Sequence, residues 1–256
     1  MHAAWFYCPA LRPGLVELDD DQARHAGHSL RLRSGDKLTL FDGHGQVAAG
    51  TVQPETIGPE PKRRRGGRLP TPRRVRVDAV TQVPPPPRSL TLVVAACKGG
   101  RLDWLVEKCT ELGVTTICLC DFERSVVHVG AQHIERLRRV AIEACKQCRR
   151  AWLPQLRIAA SLHEACRSSA ARRLLAAHPD PAVPKLGEYL QTEGQLEGRL
   201  AVVIGPEGGL SPPELEHLTG AGAQLVRLGE HILRVETAAM VVAAVWANLR
   251  DVRHVP

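Results

Sequence analysis

The chain has 256 residues, of which 44% are hydrophobic and 24% charged, and a formal net charge of +7. That is the balance of an ordinary globular protein, with enough chain for one large domain or two smaller ones. No apolar run approaches membrane-spanning length, and Met1 to Pro9 carries neither a basic region nor a long apolar stretch of the secretory kind. The expected setting is therefore the cytoplasm, with the eight cysteines as thiols rather than disulfides.

Residues 1–83 read as β-rich. Lys37–Phe41 leads into the turn signal Asp42-Gly43-His44-Gly45, and Gln46–Val52 reads as the return strand. Arg74–Val80 alternates with period two, and short strands joined by glycine turns suggest a small barrel. Between these strands lies a Gly-, Pro- and Arg-rich stretch near 54–73, which resists packing and reads as a disordered loop. Pro84-Pro85-Pro86-Pro87 follows as a stiff spacer, so the expected division is 1–83 and 88–256.

From Leu90 the pattern alternates strand and helix, which argues for an α/β domain with a mainly parallel sheet. Leu90–Ala96 reads as a buried strand and Thr115–Cys120 as the next strand. Leu102, Leu105, Val106, Cys109 and Leu112 share one face of a helix over 101–112. A longer helix spans 131–149, with Ile134, Leu137, Ala141, Ala144 and Cys148 inward. Ser161 and Glu164 cap another, and Arg173–Ala177 is a further strand.

The most informative stretch comes next. The apolar run Leu200–Ile204 leads into Gly205-Pro206-Glu207-Gly208-Gly209, and Ser211 with Glu214 forms a capping-box helix start with proline at its first positions. Strand, tight glycine turn and helix make a unit whose backbone can closely approach a ligand. The turn has neither the Lys-Ser/Thr of a phosphate loop nor a G-x-G-x-x-G pattern, and Glu207 is a poor neighbour for a pyrophosphate. A neutral or cationic ligand suits it better; the alternative is a plain helix-start turn with an exposed acid. Leu225–Gly229 is another short strand ending in glycine, followed by Glu230 to Ala239 and an apolar helix carrying Val241, Val242, Val245, Trp246 and Leu249.

The pair IGPEGG (Ile204–Gly209) and LG-x-x-ILR-x-ETA (Leu228–Ala238), in this order and at this spacing, resembles the signature of the RsmE family. Its members are S-adenosylmethionine-dependent methyltransferases acting on N3 of a uridine in 16S ribosomal RNA, within the SPOUT (trefoil-knot) superfamily. The resemblance extends to Lys98–Val114, to Glu123-Arg124-Ser125-Val126, to Glu143-Ala144 with Gln147 and Arg150, and to His25 with Leu30–Asp36. Lys146, Cys148 and Leu210 depart from the pattern, at positions with no chemical role assigned.

The resemblance implies a PUA-like RNA-binding barrel before a C-terminal knotted parallel-sheet domain, S-adenosylmethionine as cofactor, the 16S RNA or small ribosomal subunit as partner, and a homodimer. It implies a cofactor site of three loops: near His178, at Ile204, Gly205, Pro206, Glu207, Gly208 and Gly209, and at Leu228, Gly229, Ile232, Leu233 and Arg234. His178 reads equally as an exposed loop histidine. For the chemistry, Glu207 is the candidate to take the uracil proton, or Arg234 or Arg124 stabilises the uracil anion; the residues do not choose between these. Arg31, Arg33, Arg63, Arg64, Arg65, Lys98 and Arg101 are candidate RNA contacts.

Cys118-x-Cys120 and Cys145-x-x-Cys148 would each share a face, as a zinc site needs, but they fall inside regular elements rather than on loops and read as core. No metal is expected there, nor at His128, His133 or His178. A competing class is a non-catalytic RNA-binding protein with a degenerate α/β partner domain. A dinucleotide oxidoreductase is disfavoured by the missing glycine pattern.

Between Lys62 and Arg76 stand eight basic residues and no acidic one, so the rest of the chain sums to −1. Arginines clustered near a polyanion gain mostly from counterion release, which gives affinity without sequence readout. Deleting residues 60–72, which removes five of the eight, is expected to weaken RNA binding and flatten its salt dependence by up to about four to five log–log units. RNA binding measured across a range of salt concentrations checks this; an unchanged slope makes the stretch a spacer.

Overall fold

The computed structural model describes residues 3–54, 73–192 and 198–251. The stretch with Arg63, Arg64 and Arg65 lies outside the described residues. The chain forms two compact units: Met1–Pro85 with Cys145–Leu153, and Pro86–Ala144 with Pro154–Pro256.

The first unit contains β1 (Trp5–Tyr7), β2 (Gly14–Glu17), α1 (Asp20–Arg24) continued by a π-helical turn His25–Ser29, β3 (Lys37–Phe41), β4 (Gln46–Val52), β5 (Arg74–Val77) and β6 (Thr81–Gln82). The sheet runs β1-β3-β4-β5-β2, with β6 beside β4; β1 and β3 are parallel and the other pairs antiparallel. Its core is Phe6, Leu38, Leu40, Val52 and Val75, the inward half of each alternating strand. The turn between β3 and β4 forms because the Asp42 carboxylate accepts from the amides of His44 (2.6 Å) and Gln46 (2.9 Å). The alternation expected to Val80 stops at Val77; Asp78 and Ala79 are exposed and leave the ladder.

The second unit alternates as expected: β7 (Ser89–Val94), α2 (Arg101–Glu111), β8 (Thr116–Cys120), α3 (Gln132–Cys148), β9 (Gln155–Ala159), α4 (Leu162–Ser168), β10 (Arg173–Ala177), α5 (Leu186–Thr192), β11 (Arg199–Ile204), α6 (Pro212–Gly220), β12 (Gln224–Val226) and α7 (Val235–Asp251). The last residues of α3 pass into the first unit. All six strands are parallel, in the order β12-β10-β11-β7-β8-β9. β8 is buried along its whole length and β11 along all but its first residue, which is why both read as unbroken apolar runs. The strand expected over Leu225–Gly229 is shorter, because it leaves the sheet after Val226.

Leu102, Leu105, Val106 and Cys109 form the buried face of α2, and Leu137, Ala141 and Ala144 that of α3, joined by Ile142 and Cys145. Ile134 and Cys148, expected inward, are only half-buried. Cys118 and Cys120 pack in the core of the second unit with Phe122, Ala176 and Val203. Burial pushes the thiols of Cys120 and Cys145 up to about 12, so they act as small apolar side chains.

The start of α6 is fixed by a reciprocal pair. The Ser211 amide donates to Glu214 Oε2 at 2.7 Å, and the Glu214 amide donates to Ser211 Oγ at 3.4 Å. With Ser211 buried, Ser211→Ala is expected to lower stability by about 1–2 kcal/mol. A urea unfolding midpoint unchanged from the wild type would show that the pair contributes nothing.

Candidate functional site

Three neighbouring strands of the parallel sheet end side by side. β10 and β11 are in register from Arg173–Leu200 to Ala176–Val203, and β10 and β12 up to Ala177–Val226. Their carboxyl ends open on a cavity of about 420 Å³, within the range of small-molecule pockets. It is lined by three segments: Ala177–Pro179 after β10, Ile204–Leu210 after β11, and Arg227–Leu233 after β12, with Arg124 and Ala238 completing the wall. Every residue expected to hold the cofactor lines this cavity except Arg234. Arg234 is exposed beside it, and its carbonyl accepts from the Ala238 amide as α7 begins.

The glycine turn is tightly built. The Gly209 amide donates to the Pro206 carbonyl at 2.8 Å, and Gly209 has φ +76°, the left-handed region that side chains rarely adopt. A Cβ on Gly205 would stand 2.9 Å from Leu210 Cδ2, and one on Gly208 3.2 Å from Arg124 Cβ. These glycines let the turn fold back on its own helix and on the segment after β8. That segment clamps the turn from outside: Arg124 Nη1 donates to the Gly208 carbonyl at 2.8 Å, and the Glu123 amide donates to Glu214 Oε1 at 2.8 Å. Arg124 is thus a positioning residue for the turn as well as part of the cavity wall.

Glu207 stands at the turn with its side chain half-exposed. Arg101 Nη1, at the start of α2, lies 3.6 Å from Glu207 Oε1 and 3.6 Å from Glu236 Oε1 in the first turn of α7. Glu236 is 3% exposed. Beneath them, burial and then the charges of Glu236 and Glu207 push the Cys97 thiol up to about 12. Arg101, expected at RNA, is therefore engaged by two carboxylates.

The other two cavity segments are held through backbone. The His178 amide donates to the Val226 carbonyl at 2.9 Å, tying the end of β10 to β12. Arg227 exchanges hydrogen bonds with Pro184 (3.0 Å) and Leu186 (2.9 Å), while Leu228–Leu233 belongs to no helix or strand. Ile232 is 86% exposed, an apolar side chain in solvent at the cavity. Sequence reasoning missed Arg227 as a lining residue, though it directly follows the end of β12, the position where such sites gather.

Of the remaining candidates, Arg31 and Arg33 are exposed in the first unit, in the bend before β3. Arg31 has φ +54°, and the Arg33 amide donates to Asp36 Oδ2 at 2.7 Å. Lys98 is exposed before α2. Two arginines at the edge of the basic stretch pair within their own unit: Arg73 with Asp20 at 2.8 Å and Arg74 with Glu17 at 3.6 Å. Among the described residues, no group of three or more His, Cys, Asp or Glu is placed to hold a metal ion, and no helix is long and apolar enough to cross a membrane.

Comparison with known proteins gives the family. A family model described as an RNA methyltransferase domain matches residues 84–247, and one described as an RNA methyltransferase PUA domain matches residues 18–56. The chain is 32% identical over 254 residues to the ribosomal RNA small subunit methyltransferase E of Mycobacterium bovis, covering 94% of this chain and 90% of that protein. A Legionella pneumophila protein solved in complex with the bound cofactor S-adenosylmethionine superposes with a TM-score of 0.82 at 28% identity, over 97% of this chain and 98% of the other. A ribosomal RNA small subunit methyltransferase E from Neisseria gonorrhoeae, bound to S-adenosylmethionine, gives 0.78 at 28% identity, over 97% and 98%.

Proposed function

The chain belongs to the RNA methyltransferase family, and from that premise we propose that it transfers a methyl group from S-adenosylmethionine to N3 of a uridine in the 16S ribosomal RNA of the small subunit. The observation that carries this reading is the cavity at the ends of β10, β11 and β12. Its walls are the three loops expected to hold that cofactor.

The residues present suit the molecule. A glycine turn with φ +76° at Gly209 brings backbone close to a ligand, and the loop Leu228–Leu233 offers amides and carbonyls that no helix or strand uses. Bound there, the cofactor supplies an electrophilic methyl group on a cationic sulfur, and the Glu207 carboxylate favours that charge. The rest is done by this chain. The loops fix the cofactor so that an acceptor nitrogen can lie on the sulfur–methyl axis, which supplies much of the rate of an in-line displacement.

Uracil N3 holds its proton at neutral pH, so it must lose it or have its anion stabilised. Glu207 is the carboxylate at the turn, and the exposure of Arg234 beside the cavity supports a role for it in meeting a base that arrives from solvent. Arg124 has one nitrogen committed to the turn, which makes it the weaker candidate for the anion. The same reading extends to RNA contacts through Arg31, Arg33 and Lys98, to a knotted C-terminal fold and to a homodimer. Val241, Val245 and Leu249 of α7 stay half-buried within one chain, leaving apolar surface for a second copy.

Isothermal titration with S-adenosylmethionine tests the reading. Wild-type protein is expected to bind, and Gly208→Val to lose binding while staying folded by circular dichroism, because the new side chain displaces Arg124 from the turn. Unchanged affinity in the folded variant would remove the turn from the site.

Chemistry is separated from binding at Arg234. Arg234→Ala is expected to lower kcat on the order of a hundredfold with little change in cofactor affinity, read by methyl transfer to small-subunit RNA. A loss confined to cofactor affinity would make Arg234 a binding residue.

A further inference from the structure

Arg101, Glu207 and Glu236 form a charge cluster behind the glycine turn that is not balanced. One guanidinium faces two carboxylates, and a single nitrogen, Nη1, stands 3.6 Å from each. That distance makes an ion pair but lies beyond ordinary hydrogen-bond length, so Arg101 is committed fully to neither partner. Glu236 is 3% exposed, and its second oxygen, Oε2, is buried with no hydrogen-bond partner among the described residues. A buried carboxylate oxygen left open costs free energy that a closer arginine would recover. Glu207, by contrast, is half-exposed at the cavity. The two acids therefore offer one arginine two unlike seats, one in the ligand's reach and one beneath it. The Cys97 thiol, which feels the charge of both carboxylates and also hydrogen-bonds Glu236, lies beside those seats.

Resting on the methyltransferase reading above, we propose that Arg101 is a movable counter-ion, which moves from Glu207 onto the buried Glu236 when a sulfonium occupies the cavity and so sets the site's preference for the charged cofactor over its neutral thioether product. The charges dictate the direction. A cation arriving beside Glu207 repels Arg101, and the open Oε2 of Glu236 gives the guanidinium a second acceptor and a bidentate seat. After methyl transfer the sulfur is neutral, Glu207 again lacks a counter-charge, and Arg101 returns to it. Glu236 and Arg101 are positioning residues here, acting on the ligand through Glu207. Both sit at helix starts, Arg101 at the first residue of α2 and Glu236 in the first turn of α7, so the side chains can shift without moving a strand.

The test is calorimetric binding of S-adenosylmethionine and, separately, S-adenosylhomocysteine to the full chain. In Glu236→Gln the arginine loses its buried anionic seat and stays with Glu207, so the affinity ratio of charged to neutral ligand is expected to fall about threefold or more. In Arg101→Gln the Glu207 carboxylate is left free for the sulfonium, and the ratio is expected to rise by a similar factor. Opposite movements of the ratio support the counter-ion, since a merely structural lesion weakens both ligands alike. Equal weakening, or an unmoved ratio, overturns it. If Glu236→Gln does not fold, the Arg101→Gln ratio decides alone. Wild-type protein that binds neither molecule overturns the methyltransferase reading, and the counter-ion with it.

Discussion

The two oxygens of the Glu214 carboxylate hold the site together. Oε2 accepts the Ser211 amide and closes the start of α6, while Oε1 accepts the Glu123 amide from a segment 91 residues earlier in the chain. One side chain thus fixes both where the glycine turn ends and what packs against its outer side. With Glu123 latched, Arg124 reaches the Gly208 carbonyl, and the turn lies between its own helix and an arginine. Each of these hydrogen bonds involves a charged group, which makes them stronger than neutral ones. The glycines fit this arrangement: a Cβ on Gly208 would meet the Arg124 side chain that the latch brings in, and one on Gly205 would meet Leu210 of the turn itself.

The parallel sheet places this clamp where a ligand can use it. β10, β11 and β12 run in register, so their following loops leave the sheet at one level and face one cavity. A βαβ connection puts every loop of that kind on the same edge of the sheet, which is why residues far apart in sequence, such as His178, Gly205 and Leu228, meet.

Much of this was legible in the sequence, for a physical reason. Strands buried on both faces must be continuously apolar, and β7, β8 and β11 stand out as such runs between glycines and helix caps. β9 did not, because it closes one end of the sheet: Arg157 interrupts it and only Ala159 of its five residues is buried. β12 read three residues too long at its far end for the opposite reason, since the apolar pattern continues through Leu228 after the backbone has left the ladder. In the site, the glycines and the capping box announced the turn locally. The latches from Glu123 and Arg124 and the sharing of Arg101 between Glu207 and Glu236 left no local pattern, because charge pairing across many residues depends on packing that no spacing encodes. Arg101 read as a free basic residue for that reason.

The same clamp explains why the turn does not suit a phosphate. Glycine turns that open onto helices bind anions when the free amides of the helix's first turn and the positive end of its dipole face the ligand. At α6 that position is taken: the Glu214 amide donates to Ser211 Oγ, and the Glu214 carboxylate lies against the helix start as a resident anion. Prolines at the first two helical positions remove two further donors there. An incoming phosphate would have to displace Glu214 and would break the Glu123 latch as it did so. It would also meet Glu207 at the turn. A cation meets none of these obstacles, and Glu207 stands at the turn as a half-exposed carboxylate paired with Arg101. The capping box that makes the turn rigid thus also occupies the helix-start amides that such a turn would otherwise offer to an anion.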